Sequence, residues 1–172
     1  KKYFENRRFT NPGIDFGKTV ATKVQEKTRS GILAILPMKG YIEEYEFDVK
    51  APETFDITLY GSMDMVNRNK DEIIEIKTGA EWSQDMVDKC TQLQFYSFVY
   101  WIMFKKIPTV KLYWFGTYKT ERNGKIVVDF NGEYKIIERK KDTIKDYIQF
   151  SIRIKDAWDK IIKLTKIYGI FR

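Results

Sequence analysis

Glu72-Ile73-Ile74-Glu75-Ile76-Lys77-Thr78-Gly79 reads as a β-strand that stops at its threonine and glycine. A strand alternates its side chains, so Glu75 and Lys77 leave one face while Ile76 points to the other, into a core. A carboxylate and an ammonium then share one surface. Just upstream, Gly61-Ser62-Met63-Asp64 lies in a neighbouring strand. With Asp64 turned the same way, two hard oxygen ligands and a cation converge where Mg²⁺ or Mn²⁺ could sit against a phosphate. In that arrangement Asp64 and Glu75 hold the ion, the backbone carbonyl of Ile76 completes the shell, and Lys77 orients a water or offsets developing charge. Taken singly, Asp64 equally reads as a turn carboxylate, and Glu75 with Lys77 as a solvated strand face or a cross-strand ion pair.

Working outward, Tyr41 to Val49 has period two, with Tyr45, Phe47 and Val49 on one face and Glu44, Glu46 and Asp48 on the other. Phe55 to Val66 is a strand with a break at Gly61-Ser62, and Asn67-Arg68-Asn69-Lys70 turns it into Glu72–Lys77. The three strands pair as a meander. Gln84 to Phe104 reads as one helix, broadly apolar on one side and ended by Pro108. Thr109–Lys119 and Lys125–Phe130 flank Arg122-Asn123-Gly124, a hairpin signal, and Tyr134–Ile137 adds a short strand. A first helix spans Ile14–Lys27, and Ile32–Leu36 is a helical turn or a buried connector. The chain closes on an amphipathic helix from about Asp142 to Ile167, its stripe running through Ile144, Tyr147, Ile148, Ile152, Trp158, Ile161, Ile162 and Leu164. The order is α, three strands, α, two or three strands, α: an α/β chain.

A length of 172 residues predicts a single domain over 1–172 with a core of its own. The opening at Lys1 rather than Met fits a fragment or a trimmed chain. The absence of His removes imidazole bases, Ser-His triads and His-ligated zinc from this chain, and the single Cys90 removes internal disulfides and thiolate-rich metal sites. Carboxylate, Lys and Tyr chemistry remains. A net charge of +7 favours a polyanionic partner. The longest apolar run, Phe95–Phe104, is too short to span a bilayer, so no membrane partner is expected and the reading is a cytoplasmic protein.

Three motifs in order resemble a known family. Gly61-Ser62-Met63-Asp64, Glu75-Ile76-Lys77-Thr78-Gly79, and Gln92 with Tyr96 four residues on are similar to the PD-(D/E)XK nuclease superfamily, closest to its RecB-like branch. That resemblance implies a restriction-endonuclease-like αβββαβ core with a central mixed sheet flanked by helices. It implies an Mg²⁺- or Mn²⁺-dependent deoxyribonuclease, an exonuclease of recombination, repair or phage DNA processing, acting in the cytoplasm, at the nucleoid or in a phage-infected host. By position, Asp64 and Glu75 bind metal, Lys77 is catalytic, and Gln92 and Tyr96 lie beside single- or double-stranded DNA, with recombination or replication proteins as further partners. Trp82 is placed to stack on a base and Lys18 to meet a phosphate. The branch commonly carries Gly-x-x-x-His on its first helix. Here Gly17-Lys18-Thr19-Val20 leads to Ala21, whose methyl group cannot ligate. This departure implies either a metal held without that ligand or a catalytically weakened nucleic-acid-binding module. Gly17-Lys18-Thr19 also resembles the end of a P-loop, but Pro12 stands at the earlier glycine position and no strand leads in, so ATP binding is rejected.

Overall fold

The computed structural model describes residues 31–51, 57–122 and 125–168. Along the chain stand β1 (Ile42–Lys50), β2 (Thr58–Asn67), β3 (Glu72–Thr78), α1 (Gln84–Lys89), α2 (Thr91–Phe104), β4 (Thr109–Arg122), β5 (Lys125–Glu138) and α3 (Ile144–Tyr168). The strands form one mixed sheet in the order β1-β2-β3-β4-β5. β1, β2 and β3 are the antiparallel meander, β3 and β4 pair in parallel across α1 and α2, and β4 and β5 form an antiparallel hairpin whose last pair is Arg122 with Lys125. This is the α/β fold of the restriction-endonuclease-like type that the motif order implies. The first helix read over Ile14–Lys27 lies outside the described residues. No helix among the described residues is long and apolar enough to cross a membrane.

The core has two sides. On one, Leu93, Phe98, Val99 and Tyr100 of α2 pack with Tyr147 and Phe150 of α3 over Val66, Ile73, Val110 and Leu112 of the sheet. α2 is apolar nearly all round because it lies between sheet and helix. Full burial of a large apolar side chain is worth about 1.5–3 kcal/mol, so Phe98 and Leu93 alone anchor this layer firmly. On the opposite face Leu36, Met65, Ile74, Tyr113 and Phe115 form a second cluster.

Four local features differ from the sequence expectation. The helix read over Gln84–Phe104 is two helices, because Cys90 is extended between them. α1's last carbonyls find partners outside a continuing helix: Val87 O takes the Cys90 N–H, and Asp88 O takes Nη2 of Arg139. β5 is one strand where two were read. Its 131–133 segment stays in the sheet through Gly132, at φ +92°, with Asn131 Oδ1 accepting the Glu133 N–H at 2.9 Å beside the register shift at Phe115/Thr117. In α3 the buried row is Tyr147, Phe150 and half-buried Ile154, whereas Ile144, Ile148, Ile152 and Trp158 of the expected stripe face outward.

The fourth difference is Gly61, which continues β2 instead of breaking it. Gly61 pairs with Phe47, and the Phe47 ring lies across it: a Cβ there would stand 2.5 Å from Phe47 Cζ. The ring also packs edge-on against Tyr96 at 6.3 Å. Gly61→Ala is therefore expected to lower stability by about 1–3 kcal/mol, the usual cost of overpacking, and Phe47→Leu in the same chain to recover part of it. Urea denaturation of the two single variants and the double variant measures this.

Candidate metal and phosphodiester site

The β2–β3 ladder pairs Asn67 with Glu72, Val66 with Ile73 and Met65 with Ile74, and stops there, while β3 runs on beside β4 to Thr78. Past Ile74 the two strands part, and the Asp64 side chain takes the place of a strand partner: the Ile76 N–H donates to Asp64 Oδ2 at 2.7 Å. Because a residue's N–H and C=O leave a strand on the same edge, the Ile76 carbonyl faces this gap too. Leu36, Met38, Glu43, Glu44, Asp64 and Ile76 line a cleft opening from it. Glu44 falls between the pairs Glu43–Met65 and Tyr45–Met63 with left-handed backbone, φ 47°. Strand alternation alone puts Glu44 on a polar face and gives no sign of that conformation.

Glu75 and Lys77 leave β3 toward α2, as alternation requires. The break at Cys90 starts α2 so that Gln92, in its first turn, reaches both of them. Lys77 Nζ donates to Glu75 Oε1 at 2.6 Å and to Gln92 Oε1 at 3.0 Å. Gln92 Nε2 donates to Glu75 Oε1 at 3.0 Å and to the Tyr96 hydroxyl at 2.8 Å, so the spacing of four does bring Gln92 and Tyr96 to one helix face. Burial raises the Tyr96 hydroxyl pKa.

Glu75 is only 3% exposed, and among the described residues no donor reaches its buried Oε2, so that short of a metal only a proton shared with Asp64 relieves it. Burial first, and then the charge of Asp64, push its carboxyl up to about 7, against the pull of Lys77. Two carboxylates thus meet with one ammonium on Glu75 Oε1, a backbone N–H on Asp64, and Glu75 Oε2 left over. A divalent cation fits this donor set: it would take the orphaned oxygen and cancel the repulsion. Carboxylate and carbonyl oxygens are the ligands that Mg²⁺ and Mn²⁺ prefer. Among the described residues Asp64 and Glu75 stand as a pair, with no cluster of three or more His, Cys, Asp or Glu around them.

Other expected contacts are distributed differently. Trp82 is half-buried against the α2 side of the core, leaving part of its ring at the surface near the end of β3. Lys18 and Ala21 lie outside the described residues. Arg139, in the basic run Arg139-Lys140-Lys141, is buried and unavailable to a phosphate, with Nη1 donating to Asp142 Oδ2 at 2.6 Å. Arg153 donates to Gln94 Oε1 at 2.7 Å, and Lys155 pairs with Asp159 at 2.6 Å.

The family model of the PD-(D/E)XK nuclease superfamily matches residues 15–164. No curated protein matches the chain. Among solved structures, the crystal structure of SSO0001 is similar at 17% identity with a TM-score of 0.36, over 75% of this chain and 58% of that one. The chain therefore spans a little over half the length of that structure. The family match runs through every described strand and both helices that frame Glu75, and on that extent the chain belongs to the PD-(D/E)XK nuclease superfamily.

Proposed function

We propose that residues 1–172 form one domain that hydrolyses DNA phosphodiester bonds with Mg²⁺ or Mn²⁺, as an exonuclease of the RecB-like kind in recombination, repair or phage DNA processing. The observation that carries this reading is the buried Glu75 carboxylate, one oxygen unpartnered, set against Asp64 and Lys77 at the parted end of β2 and β3. When bound by Asp64, Glu75 and the Ile76 carbonyl, the metal supplies an activated water and neutralises phosphate charge. Lys77 adds a fixed positive charge where the pentacovalent phosphate gathers negative charge. Gln92 holds Lys77 and Glu75 in mutual register. Tyr96, tied to Gln92, sits with it beside the strand being cut, and Trp82 and Lys18 add stacking and phosphate contacts.

The test is cleavage of labelled linear and circular DNA in Mg²⁺, Mn²⁺ or EDTA. Linear DNA is expected to be degraded in either metal, circular DNA to survive, and EDTA to stop the reaction. Salt-sensitive binding with no cutting would favour the second reading, a binding module of the same fold, to which Ala21 in place of a histidine points. Ala21→His separates the two within the same assay: gained activity or tighter Mn²⁺ binding places position 21 at the metal.

A further inference from the structure

We propose a second nucleic-acid contact at the far end of β3, built from Arg68, Lys70 and Lys105 and selective for the phosphodiester backbone. It rests on the DNA reading above for the chemistry of its ligand. α2 runs from the candidate site to this end, its 14 residues carrying Gln92 to Lys105 over about 20 Å, while four residues along β2 carry Asp64 to Arg68 over about 13 Å. There the β2–β3 turn meets the C-terminus of α2.

The three cations are exposed, and each is held over an aromatic ring. Arg68 Cζ lies 4.7 Å from the centroid of Phe104, Lys70 Nζ 5.7 Å from Tyr41, and Lys105 Nζ 5.5 Å from Trp101. Among the described residues none of the three forms an ion pair. The two nearby acids are already engaged. Asp71 accepts the Tyr100 hydroxyl at 2.9 Å and pairs with Lys106 at 3.0 Å; Glu72 accepts the Tyr41 hydroxyl and pairs with Lys111 at 2.5 Å. Lys70 acts on Glu72 only through its field. Among the described residues, this end of the domain therefore carries three positive charges without an ion-pair partner.

The patch is also built to stay in place. Buried Asn67 accepts the N–H groups of Asn69 and Lys70 at 3.0 and 3.1 Å, which fixes the turn that presents Arg68 and Lys70. Lys105 is the C-cap of α2 in left-handed backbone, φ 56°. A cap need not be a lysine, and the helix dipole accounts for charge at Lys105 and Lys106 but not for the two cations contributed by the turn. Cations fixed over rings lose little freedom on binding. Three of them about 13–20 Å from a phosphodiester site match about four to six steps of one duplex strand.

The experiment compares the parent with Arg68→Gln/Lys70→Gln/Lys105→Asn, where asparagine keeps the left-handed cap. Fluorescence anisotropy in EDTA follows binding of a labelled duplex of about 30 base pairs and of a hairpin of about 4 base pairs, across a salt series. The expected result is weaker binding of the long duplex, with the slope of log affinity against log salt reduced by about 2.7, and unchanged binding of the hairpin. A single Arg68→Gln should lower the slope by about 0.9 while Arg68→Lys leaves it intact, which guards against a folding defect in the triple variant. The proposal is overturned if the parent binds the long duplex and the triple variant keeps its slope, or if both lengths weaken equally. A parent that binds no DNA but captures an acidic polypeptide such as polyglutamate through these residues overturns both this proposal and the DNA reading.

Discussion

Glu75→Gln is expected to destroy cleavage and at the same time stabilise the metal-free protein. Loss of a charge-stabilising group at such a centre lowers turnover by about 10²–10³-fold or more. Stability moves the other way, because in EDTA the Glu75 carboxyl is raised from 4.5 to about 7. An acid that holds its proton more tightly when folded contributes stability at low pH, and that stability is lost as pH rises from about 4.5 through about 7. At pH 8 the ionised carboxylate then costs about 3 kcal/mol, which glutamine does not incur. At about 2–4 °C per kcal/mol for a chain of this size, the variant should melt several degrees above the parent at pH 8 and level with it near pH 4. Lys77→Met should lose activity similarly but melt below the parent, since it removes the only cation paired with Glu75 among the described residues. Added Mg²⁺ should raise the melting point of the parent and leave that of Glu75→Gln where it was. Thermal melts with and without metal, beside the cleavage assay, read all of this. Equal melting of Glu75→Gln and parent at pH 8 would remove the carboxylate pair from the account.

Asp142→Ala is expected to cost about 3–5 kcal/mol, the largest effect on stability foreseen for any one substitution away from the cleft. Arg139 and Asp142 are each 7% exposed, and Arg139 Nε has no partner of its own. Without Asp142 the guanidinium keeps, among the described residues, only the Lys140 and Asp88 carbonyls, at 3.2 and 3.3 Å. A buried charge is left uncompensated. The loss also reaches the site, because the same junction holds α1: the Lys140 N–H donates to Asp88 Oδ1 at 2.7 Å, and Gln84 donates to the Glu138 carbonyl at 2.9 Å. Arg139→Met with Asp142→Leu should restore most of the stability, since an apolar pair often replaces a buried ion pair at little cost. Urea midpoints of single and double variants decide it. A loss below about 1 kcal/mol for Asp142→Ala would mean the guanidinium finds water.

What the sequence revealed followed short-range periodicity. Alternation placed Glu75 and Lys77 on one face and Ile76 on the other, and the spacing of Gln92 and Tyr96 put both on one side of a helix. The Asn123-Gly124 pair marked the hairpin that β4 and β5 form. Features set by long-range contacts were not legible. The stop at Cys90 has no glycine or proline to announce it, because α1 ends on Arg139, far along the chain. Gly61 looked like a strand break and is instead the seat of the Phe47 ring. Arg139 stands in the basic run Arg139-Lys140-Lys141, and only the fold shows it buried on Asp142. In α3 both apolar rows had helical spacing, so periodicity could not say that Tyr147 and Phe150, rather than Ile148 and Ile152, would turn inward.

The parallel pairing of β3 with β4 also sets the order in which Asp64, Glu75, Lys77 and Gln92 can be brought together during folding. The β1–β2–β3 meander and the β4–β5 hairpin close short loops and can form early, bringing Asp64 to Glu75 from local contacts alone. The β3–β4 ladder closes across the whole of α1 and α2, so its entropic cost comes before its reward, and α2 settles against the sheet only with it. Gln92 thus joins Lys77 at the end of the process. A partly folded chain carries its acidic pair without the groups that align it, which makes the complete Asp64, Glu75, Lys77 and Gln92 arrangement a late property of folding.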